Sequence, residues 1–198
     1  SILAKHTPRL EQYSIDEAWV DMTGTQRIFG SPRLAAEKMR QQIWDELGFT
    51  VNIGISSNKL LAKMAGDFEK PNKVHTCFPE EMPEKLWPLS VRDLFLVGPA
   101  TEKKLNLLGI YTIGDLANTD ERTLKKRLGK HGQTTWHYAN GRNAELVTPE
   151  PAENKGYGNS VTTAKDVTGK TEGHQISLSL CEAVAMRMRK DGKIGSCV

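Results

Sequence analysis

Two adjacent carboxylates, Asp16 and Glu17, stand inside residues 13–21, which read YSIDEAWVD. The Tyr, Ile, Trp and Val of this run favour β-strands, and acids do not belong in a buried strand without a partner. Neighbouring side chains of a straight strand point to opposite faces, so both acids can serve one site only where the chain turns. A hairpin tip would present two hard oxygen ligands suited to Mg²⁺. The alternative is a polar edge strand with two solvated acids.

A second stretch with possible chemistry covers residues 54–72 and reads GISSNKLLAKMAGDFEKPN. Asn58 is a suitable N-cap, and the apolar residues that follow are spaced as in a helix, which Pro71 is expected to end. Lys59, Lys63, Gly66 and Lys70 fall about one turn apart on another face. A lysine ammonium is a suitable point charge for phosphate. The alternative is an ordinary solvated lysine face.

The elements between these two stretches predict a sheet with helical cover. Ser31 and Pro32 form a helix start, apolar residues then recur every four positions, and Gly48 is a stop signal. Residues 49–55 alternate between apolar and polar, which predicts a strand. Strand, helix and strand in this order indicate a sheet covered by helices on at least one face.

From residue 88 the pattern changes to helices joined by tight turns. The turn Leu96-Val97-Gly98-Pro99 precedes a predicted helix over 101–108 and resembles a helix-hairpin-helix motif, whose usual hairpin is Gly-hydrophobic-Gly. Leu96 replaces the first glycine, and Gly98 keeps the second. A glycine lets the backbone approach a phosphate, and Lys103 and Lys104 add positive charge. Such a motif would grip the DNA backbone without reading sequence; the alternative is an ordinary αα-hairpin.

The distribution of charge favours an anionic partner for the same region. The whole chain has a net charge of only +3, yet residues 90–142 contain nine Lys or Arg against five Asp or Glu. Nucleic acid is the usual partner of such a basic segment. The three cysteines form no C-x-x-C pair, so a reducing cytoplasm is expected rather than a disulfide framework or a zinc site. No apolar run approaches the ~20 residues of a membrane span.

Together these stretches resemble the Y-family (translesion) DNA polymerases, of the DNA polymerase IV-like group. That family has a Ser-Ile-Asp-Glu-Ala run that supplies catalytic carboxylates, and a Ser-x-Asn-Lys-x-x-Ala-Lys segment that ends in Lys-Pro-Asn. The resemblance implies that Asp16 is a metal ligand, that Glu17 is its acidic neighbour at the metal site, and that Lys70 contacts the triphosphate of the incoming nucleotide. Lys73 departs from the family pattern, which usually has Gly there.

The resemblance also implies an α+β architecture in a fixed order. It consists of a partial palm domain over 1–87, a helix-hairpin-helix thumb over 88–146, a Pro- and Gly-containing linker over 147–158, and the start of a little finger domain over 159–198. Residues 160–163 are expected to form the first strand of that last domain, and residues 175–190 its first helix. The implied reaction is template-directed phosphoryl transfer with two metal ions, Mg²⁺ being expected. The implied partners are primer-template DNA, deoxynucleoside triphosphates and, as a further candidate in a longer parent, a sliding clamp.

Both ends of the chain are expected to be cut inside such a longer protein. The first catalytic Asp of the family, on a strand before residue 1, and the fingers domain would then lie outside the chain, which alone would be inactive. One alternative is a non-catalytic DNA-binding module built on the helix-hairpin-helix. Another is a palm-like nucleotide cyclase, which would not be expected to contain Lys-Pro-Asn or a basic helical thumb.

Overall fold

The computed structural model describes residues 1–150 and 154–195. These residues contain two short β-sheets and eight α-helices. The expected mixture of helices and strands is confirmed, with helices outweighing strands. The chain divides into two units, Ser1–Pro151 and Ala152–Val198. No helix within the described residues is long and apolar enough to cross a membrane.

The strands pair locally in two separate sheets. In the first sheet, β1 (Leu10–Gln12) runs antiparallel to β2 (Ala18–Val20), so the chain reverses over residues 13–17. In the second, β3 (Ile53–Ile55) runs parallel to β4 (Val74–Thr76). The strand predicted over 49–55 is therefore shorter than expected, because its partner offers only three paired residues.

The first helices begin and end at the predicted signals. A single turn, α1 (Gln26–Phe29), precedes α2 (Pro32–Leu47). The Ser31 hydroxyl accepts a hydrogen bond from the Leu34 N–H, and Gly48 closes α2 with a left-handed φ of 70°. Both ends of α2 therefore follow from local side-chain and backbone chemistry.

The helix α3 (Lys59–Gly66) is shorter than predicted. Asn58 caps its start by accepting the Leu61 N–H at 2.9 Å. At its end the side-chain amide of Asn52 donates to the carbonyls of Gly66 and Glu69, at 3.0 and 2.7 Å. These bonds satisfy carbonyls that would otherwise lack a partner at the helix end. The expectation that Pro71 ends the helix is wrong, and Lys70 lies in the turn beyond it.

Residues 79–141 contain four α-helices, of which the last is the longest. The hairpin of residues 96–98 leads into a helix that begins at Pro99, two residues earlier than predicted. The last helix is interrupted at Gly129, where φ is 67°. The helices are α4 (Met82–Lys85), α5 (Pro99–Asn106), α6 (Ile113–Asn118) and α7 (Glu121–Ala139).

One hydrophobic core crosses the boundary that the sequence suggested at residue 87. Leu61 and Met64 of α3 belong to the same buried cluster as Leu86, Leu94 and Leu105. The β3–α3–β4 segment and the helices that follow it are therefore packed as one body. Trp136 packs against this cluster as expected of a core residue, and its indole N–H donates to the Thr119 carbonyl at 2.8 Å.

In the second unit the described residues form one helix, α8 (Lys170–Lys190), which begins five residues before the predicted start. The strand predicted over 160–163 is wrong, since these residues are exposed and have no regular structure. Val and Thr favour strands only where a neighbouring strand offers hydrogen bonds and packing. No strand is found among residues 154–195 to provide them.

Candidate functional site

Asp16 and Glu17 lie at the tip of the β1–β2 hairpin. The N–H groups of Tyr13 and Ser14 both donate to the Glu17 carbonyl, at 2.9 and 3.2 Å, and close the turn. The Ser14 hydroxyl donates to the Asp16 carboxylate at 2.7 Å. Asp16 is exposed and Glu17 is half-buried. On a straight strand the two acids would face opposite sides. Because the chain turns here, both stand at the same open end of the sheet.

The hairpin tip and the Lys-Pro-Asn turn line one cavity of about 500 Å³. Asp16 and Glu17 enter it from the hairpin, Lys63 from α3, and Asp67 and Lys70 from the turn that follows. The structure thus brings together carboxylates and a lysine from two motifs that are about fifty residues apart in sequence.

A chain of alternating charges connects the two motifs inside this cavity. The Lys63 ammonium lies 2.5 Å from the Glu17 carboxylate and 3.2 Å from that of Asp67. Asp67 in turn lies 2.7 Å from the Lys70 ammonium. Burial alone would lower the pKa of Lys63, but its hydrogen bonds to Glu17 and Asp67 raise it overall. Burial would raise the pKa of Asp67, yet Lys70 and Lys63 lower it overall.

The family resemblance implies no role for Lys63 or Asp67. Lys63 ends the Ser-x-Asn-Lys-x-x-Ala-Lys segment, and Asp67 lies beyond it. The spacing in the sequence could have indicated these ion pairs. Lys63 and Asp67 are four residues apart and Asp67 and Lys70 are three apart, the spacings at which helical side chains meet. What the sequence could not show is that Glu17 would come within reach of Lys63.

The donor atoms at the hairpin tip suit a hard divalent cation only in part. Carboxylate oxygens are the ligands that Mg²⁺ prefers, and Asp16 offers them from an exposed position. Within residues 1–150 and 154–195, however, no group of three or more His, Cys, Asp or Glu side chains is arranged to hold a metal ion. The pair therefore needs further oxygen ligands from elsewhere.

The cavity lies between the unpaired sides of two strands. Its walls include Ala18, Trp19 and Val20 of β2 on one side and residues 50–54, which enter β3, on the other. β2 pairs only with β1, and β3 only with β4, among the described residues. Backbone N–H and C=O groups on the other edges of these strands have no partner in a ladder.

Lys59 is a structural residue, so the solvated-face alternative is wrong for it. It is 9% exposed, lies 2.7 Å from the Glu11 carboxylate, and stands 4.5 Å from the centre of the Trp19 ring. The Trp19 indole N–H donates to the Lys59 carbonyl at 3.0 Å. Burial would raise the pKa of Glu11, but hydrogen bonds from Lys59 and the Thr148 N–H lower it overall. This cluster fixes the base of the hairpin on α3.

The helix-hairpin-helix region has an unusual backbone. Leu96, at the position where the motif usually has its first glycine, adopts a left-handed φ of 70°. Val97 is buried, and Gly98 is the N-cap of α5 with an extended backbone. A Cβ placed on Gly98 would meet no atom within 4 Å, so the approach to this backbone is open.

Both α5 and α7 carry exposed cations. Lys103 and Lys104 are exposed on α5 itself. The Thr101 hydroxyl lies 3.3 Å from His131 Nε2, which ties α5 to α7. Five further cations of α7 are exposed, namely Arg122, Lys125, Lys126, Arg127 and Lys130. We call the hairpin and these exposed cations of α5 and α7 the thumb surface.

Comparison with known families gives three consecutive matches along the chain. Residues 1–67 match the impB/mucB/samB family, residues 79–110 match the IMS family HHH motif, and residues 154–198 match the impB/mucB/samB family C-terminal domain. The first match contains the hairpin tip and α3, and the second contains Gly98, Lys103 and Lys104.

Curated relatives agree with these matches. The chain is 42% identical over 193 residues to DNA polymerase IV of Clostridium acetobutylicum, covering 98% of the chain and 48% of that protein. It is 43% identical over 198 residues to DNA polymerase IV of Clostridium kluyveri, covering 100% of the chain and 50% of that protein. The chain thus spans about half the length of the curated relatives it matches.

Solved structures resemble the chain over about three quarters of its length. DinB from Sulfolobus solfataricus is 31% identical with a TM-score of 0.64, over 74% of this chain and 43% of that one. A Y-family DNA polymerase chimera is 30% identical with a TM-score of 0.67, over 79% of this chain and 46% of that one. An insertion ternary complex of Dbh DNA polymerase is 29% identical with a TM-score of 0.63, over 74% of this chain and 43% of that one.

Proposed function

Because the chain belongs to the impB/mucB/samB family of Y-family DNA polymerases, we propose that it contributes to template-directed DNA synthesis of the translesion type. The observation that most supports this is the cavity shared by Asp16, Glu17 and Lys70. A DNA-binding module without catalysis would have no use for two carboxylates and a phosphate-binding lysine in one cavity. The proposed partners are primer-template DNA and deoxynucleoside triphosphates.

In this proposal each side chain of the cavity has a separate task. Asp16 is a metal ligand, and Glu17 is its acidic neighbour, held in place by Lys63. Lys70, held by Asp67, binds the triphosphate as a point charge. A bound metal ion, for which we propose Mg²⁺, supplies electrostatic stabilisation of the charge on the reacting oxygens. The protein groups bind and orient, and positioning is the larger part of catalysis in phosphoryl transfer.

The third carboxylate that such a site needs is proposed to come from another strand. The cavity between β2 and β3 offers two strand edges that are not paired within the described residues. A strand entering there would run beside the hairpin tip and could place an acid next to Asp16. This position agrees with the expectation that the family's first catalytic Asp precedes residue 1. We extend the proposal to a cytoplasmic location and, for a longer protein, to a sliding clamp as partner.

Primer extension tests the proposed activity. The 198-residue chain alone should not extend a primer, because no three acidic, His or Cys side chains of its described residues are arranged to hold a metal ion. A chimera in which this chain replaces the matching half of Clostridium acetobutylicum DNA polymerase IV should extend it. In that chimera Asp16→Ala should abolish extension, while Lys38→Ala, an exposed lysine outside the cavity, should change little. A chimera indifferent to Asp16→Ala would overturn the proposed site.

Binding to DNA tests the thumb surface separately. We propose that it grips duplex DNA weakly and without sequence preference, through backbone phosphates. Affinity should fall steeply with salt, since phosphate contacts release counterions. Replacing Lys103 and Lys104 together with Ala should reduce the slope of log affinity against log salt by about two. An unchanged slope would mean that the hairpin is only structural.

A further inference from the structure

A second cavity, of about 320 Å³, lies against the turn that bears Lys70. It is lined by Arg33, Glu37 and Arg40 of α2, by Glu69, Asn72 and Lys73 of the turn, and by β4. Its lining shares only Asn72 with the cavity that contains Asp16 and Glu17. The turn therefore separates two cavities, with Lys70 lining the first and Lys73 the second.

The cations of this second cavity are not fully neutralised. Arg40 uses its Nε for an ion pair with Glu37 at 2.9 Å, and Lys73 lies 3.4 Å from Glu69. Arg33 has no carboxylate partner among the described residues. Lys85 also lines the cavity, but Glu81 and Thr76 already bind its ammonium. The whole guanidinium of Arg33 and the Nη groups of Arg40 thus stay available to a ligand.

Two buried polar atoms in the same lining have no hydrogen-bond partner. They are His75 Nε2 and Asn72 Oδ1. Leaving a buried polar atom without a partner is unfavourable, and such atoms in a folded protein call for an explanation. His75 donates from Nε2 in one tautomer, and rotating the Asn72 amide presents its NH₂ group. Both side chains can therefore serve as donors to a ligand that offers acceptor oxygens.

We propose that this cavity, formed by Arg33, Arg40, Lys73 and His75, binds a phosphate-type oxyanion. A guanidinium matches phosphate oxygens with a planar fork of donors, and a lysine adds a point charge. The volume lies at the lower end of the range for ligand cavities, which favours a small anion. Lys73 is the residue at which this chain departs from the glycine usual in its family, so the site does not follow from the family motif. The proposal does not rest on the proposed function.

The test follows the imidazole signals of the 198-residue chain by NMR during titration with inorganic phosphate at constant ionic strength. The His75 signals should shift and saturate, whereas those of His131, which is not among the lining residues, should not. Arg33→Ala should weaken phosphate binding by about tenfold. Lys38→Ala removes one positive charge from the same helix, at an exposed position outside the cavity, and should change affinity by less than about twofold.

Two further arms identify the source of the phosphate. Pyrophosphate in place of phosphate represents a free anion, and a short single-stranded oligonucleotide represents a phosphodiester backbone. The ligand that saturates the His75 shift with the higher affinity identifies the source. A His75 shift that never saturates, or equal losses from Arg33→Ala and Lys38→Ala, would overturn the proposal. Tryptophan fluorescence establishes that each variant is folded, and Lys73→Gly, which restores the usual glycine, should weaken binding as a second, independent variant.

Discussion

The first unit contains two regions that are stabilised differently. In residues 79–141, which we call the helical region, large apolar side chains are almost fully buried, among them Leu86, Leu94, Leu105, Ile113, Leu116 and Leu124. In residues 1–78, the hairpin region, Trp44 and Phe49 are 48% and 65% exposed. There, ion pairs of Lys59 and Lys63 connect the hairpin to α3. The proposed chemistry therefore lies in the region with more ion pairs and less apolar burial.

This difference suggests that charged partners, rather than apolar packing, hold the side chains of the site. Side chains in an apolar core are fixed by packing, whereas Glu17 and Lys70 are each fixed by a partner of opposite charge. Partners of this kind leave the carboxylate and the ammonium accessible to a ligand. The substitutions below probe the two regions, from the largest expected effect to the smallest.

Gly54→Ala should be the most damaging change, because β3 touches α3 at this residue. A Cβ on Gly54 would lie 1.9 Å from the Ala62 carbonyl oxygen and 2.4 Å from the Gly66 nitrogen, both backbone atoms. We expect a loss of at least about 3 kcal/mol in the free energy of unfolding, measured by urea denaturation. All four tryptophans lie between residues 19 and 136, so their fluorescence reports the first unit.

Gly66→Ala is the matched control for that experiment. A Cβ there would meet Gly54 backbone atoms only at 3.5 Å and beyond, an ordinary contact. Since alanine also favours helices, the change should stay within about 1 kcal/mol of the parent chain. Equal effects of the two substitutions would contradict the idea that strand and helix meet at Gly54.

Leu105→Ala tests the apolar core of the helical region. Leu105 is fully buried, whereas Leu107, two residues later on the same stretch, is 85% exposed. We expect Leu105→Ala to reduce the free energy of unfolding by about 3 kcal/mol, and Leu107→Ala by less than about 0.5 kcal/mol. Urea titrations of the two variants, run together, provide the comparison. A large effect at Leu107 would imply that this side chain is covered in solution.

Glu11→Gln tests the ionic support of the hairpin region. It leaves Lys59 almost buried, with the exposed Glu145 at 3.7 Å as its remaining carboxylate. Breaking a fully buried pair costs about 3–5 kcal/mol, and partial exposure should reduce this to about 2 kcal/mol.

The same variant predicts a dependence on pH. The pKa of Glu11 is lowered in the folded chain, so its contribution is complete above the unfolded value of about 4.3 and is lost as pH falls through the folded value. The difference in stability between Glu11→Gln and the parent chain should therefore shrink below about pH 4. A difference that is constant from pH 7 to about pH 3 would show that packing, not charge, is responsible.

Leu96→Gly should have the smallest effect, and a favourable one. Leu96 has a left-handed backbone and a half-exposed side chain, so glycine would relieve strain while removing little packing. The left-handed conformation costs a residue with a Cβ roughly 1–2 kcal/mol, and the greater freedom of glycine in the unfolded chain offsets part of this. We expect a gain of about 0.5 kcal/mol; a loss would mean that Leu96 packs against something in solution.

Sequence patterns were sufficient to predict the structure where it depends on interactions between nearby residues. The cap at Ser31, the stop at Gly48 and the N-cap at Asn58 are all confirmed. The turn between Ile15 and Ala18 was expected because two adjacent acids cannot face one site from a straight strand. These features depend on neighbours within a few residues, which a single sequence displays.

Features that depend on distant contacts were missed. The early end of α3 depends on Asn52, fourteen residues before the Gly66 carbonyl that it binds. The burial of Lys59 depends on Glu11, forty-eight residues away. Neither pairing leaves a periodic pattern in the sequence. The strand predicted at 160–163 failed for the same reason, because β-structure requires a partner that local propensity cannot supply.

The strand edges beside the cavity also affect how the isolated chain behaves in solution. Unpaired N–H and C=O groups along β2 and β3 form a template on which an extended segment of another molecule can pair. Natural sheets protect such edges with charges, bulges or covering elements. The Ile15 side chain, 97% exposed at the hairpin tip, adds an apolar contact at one end of that template. At high concentration the chain should therefore self-associate, and a peptide that occupies these edges should keep it monomeric.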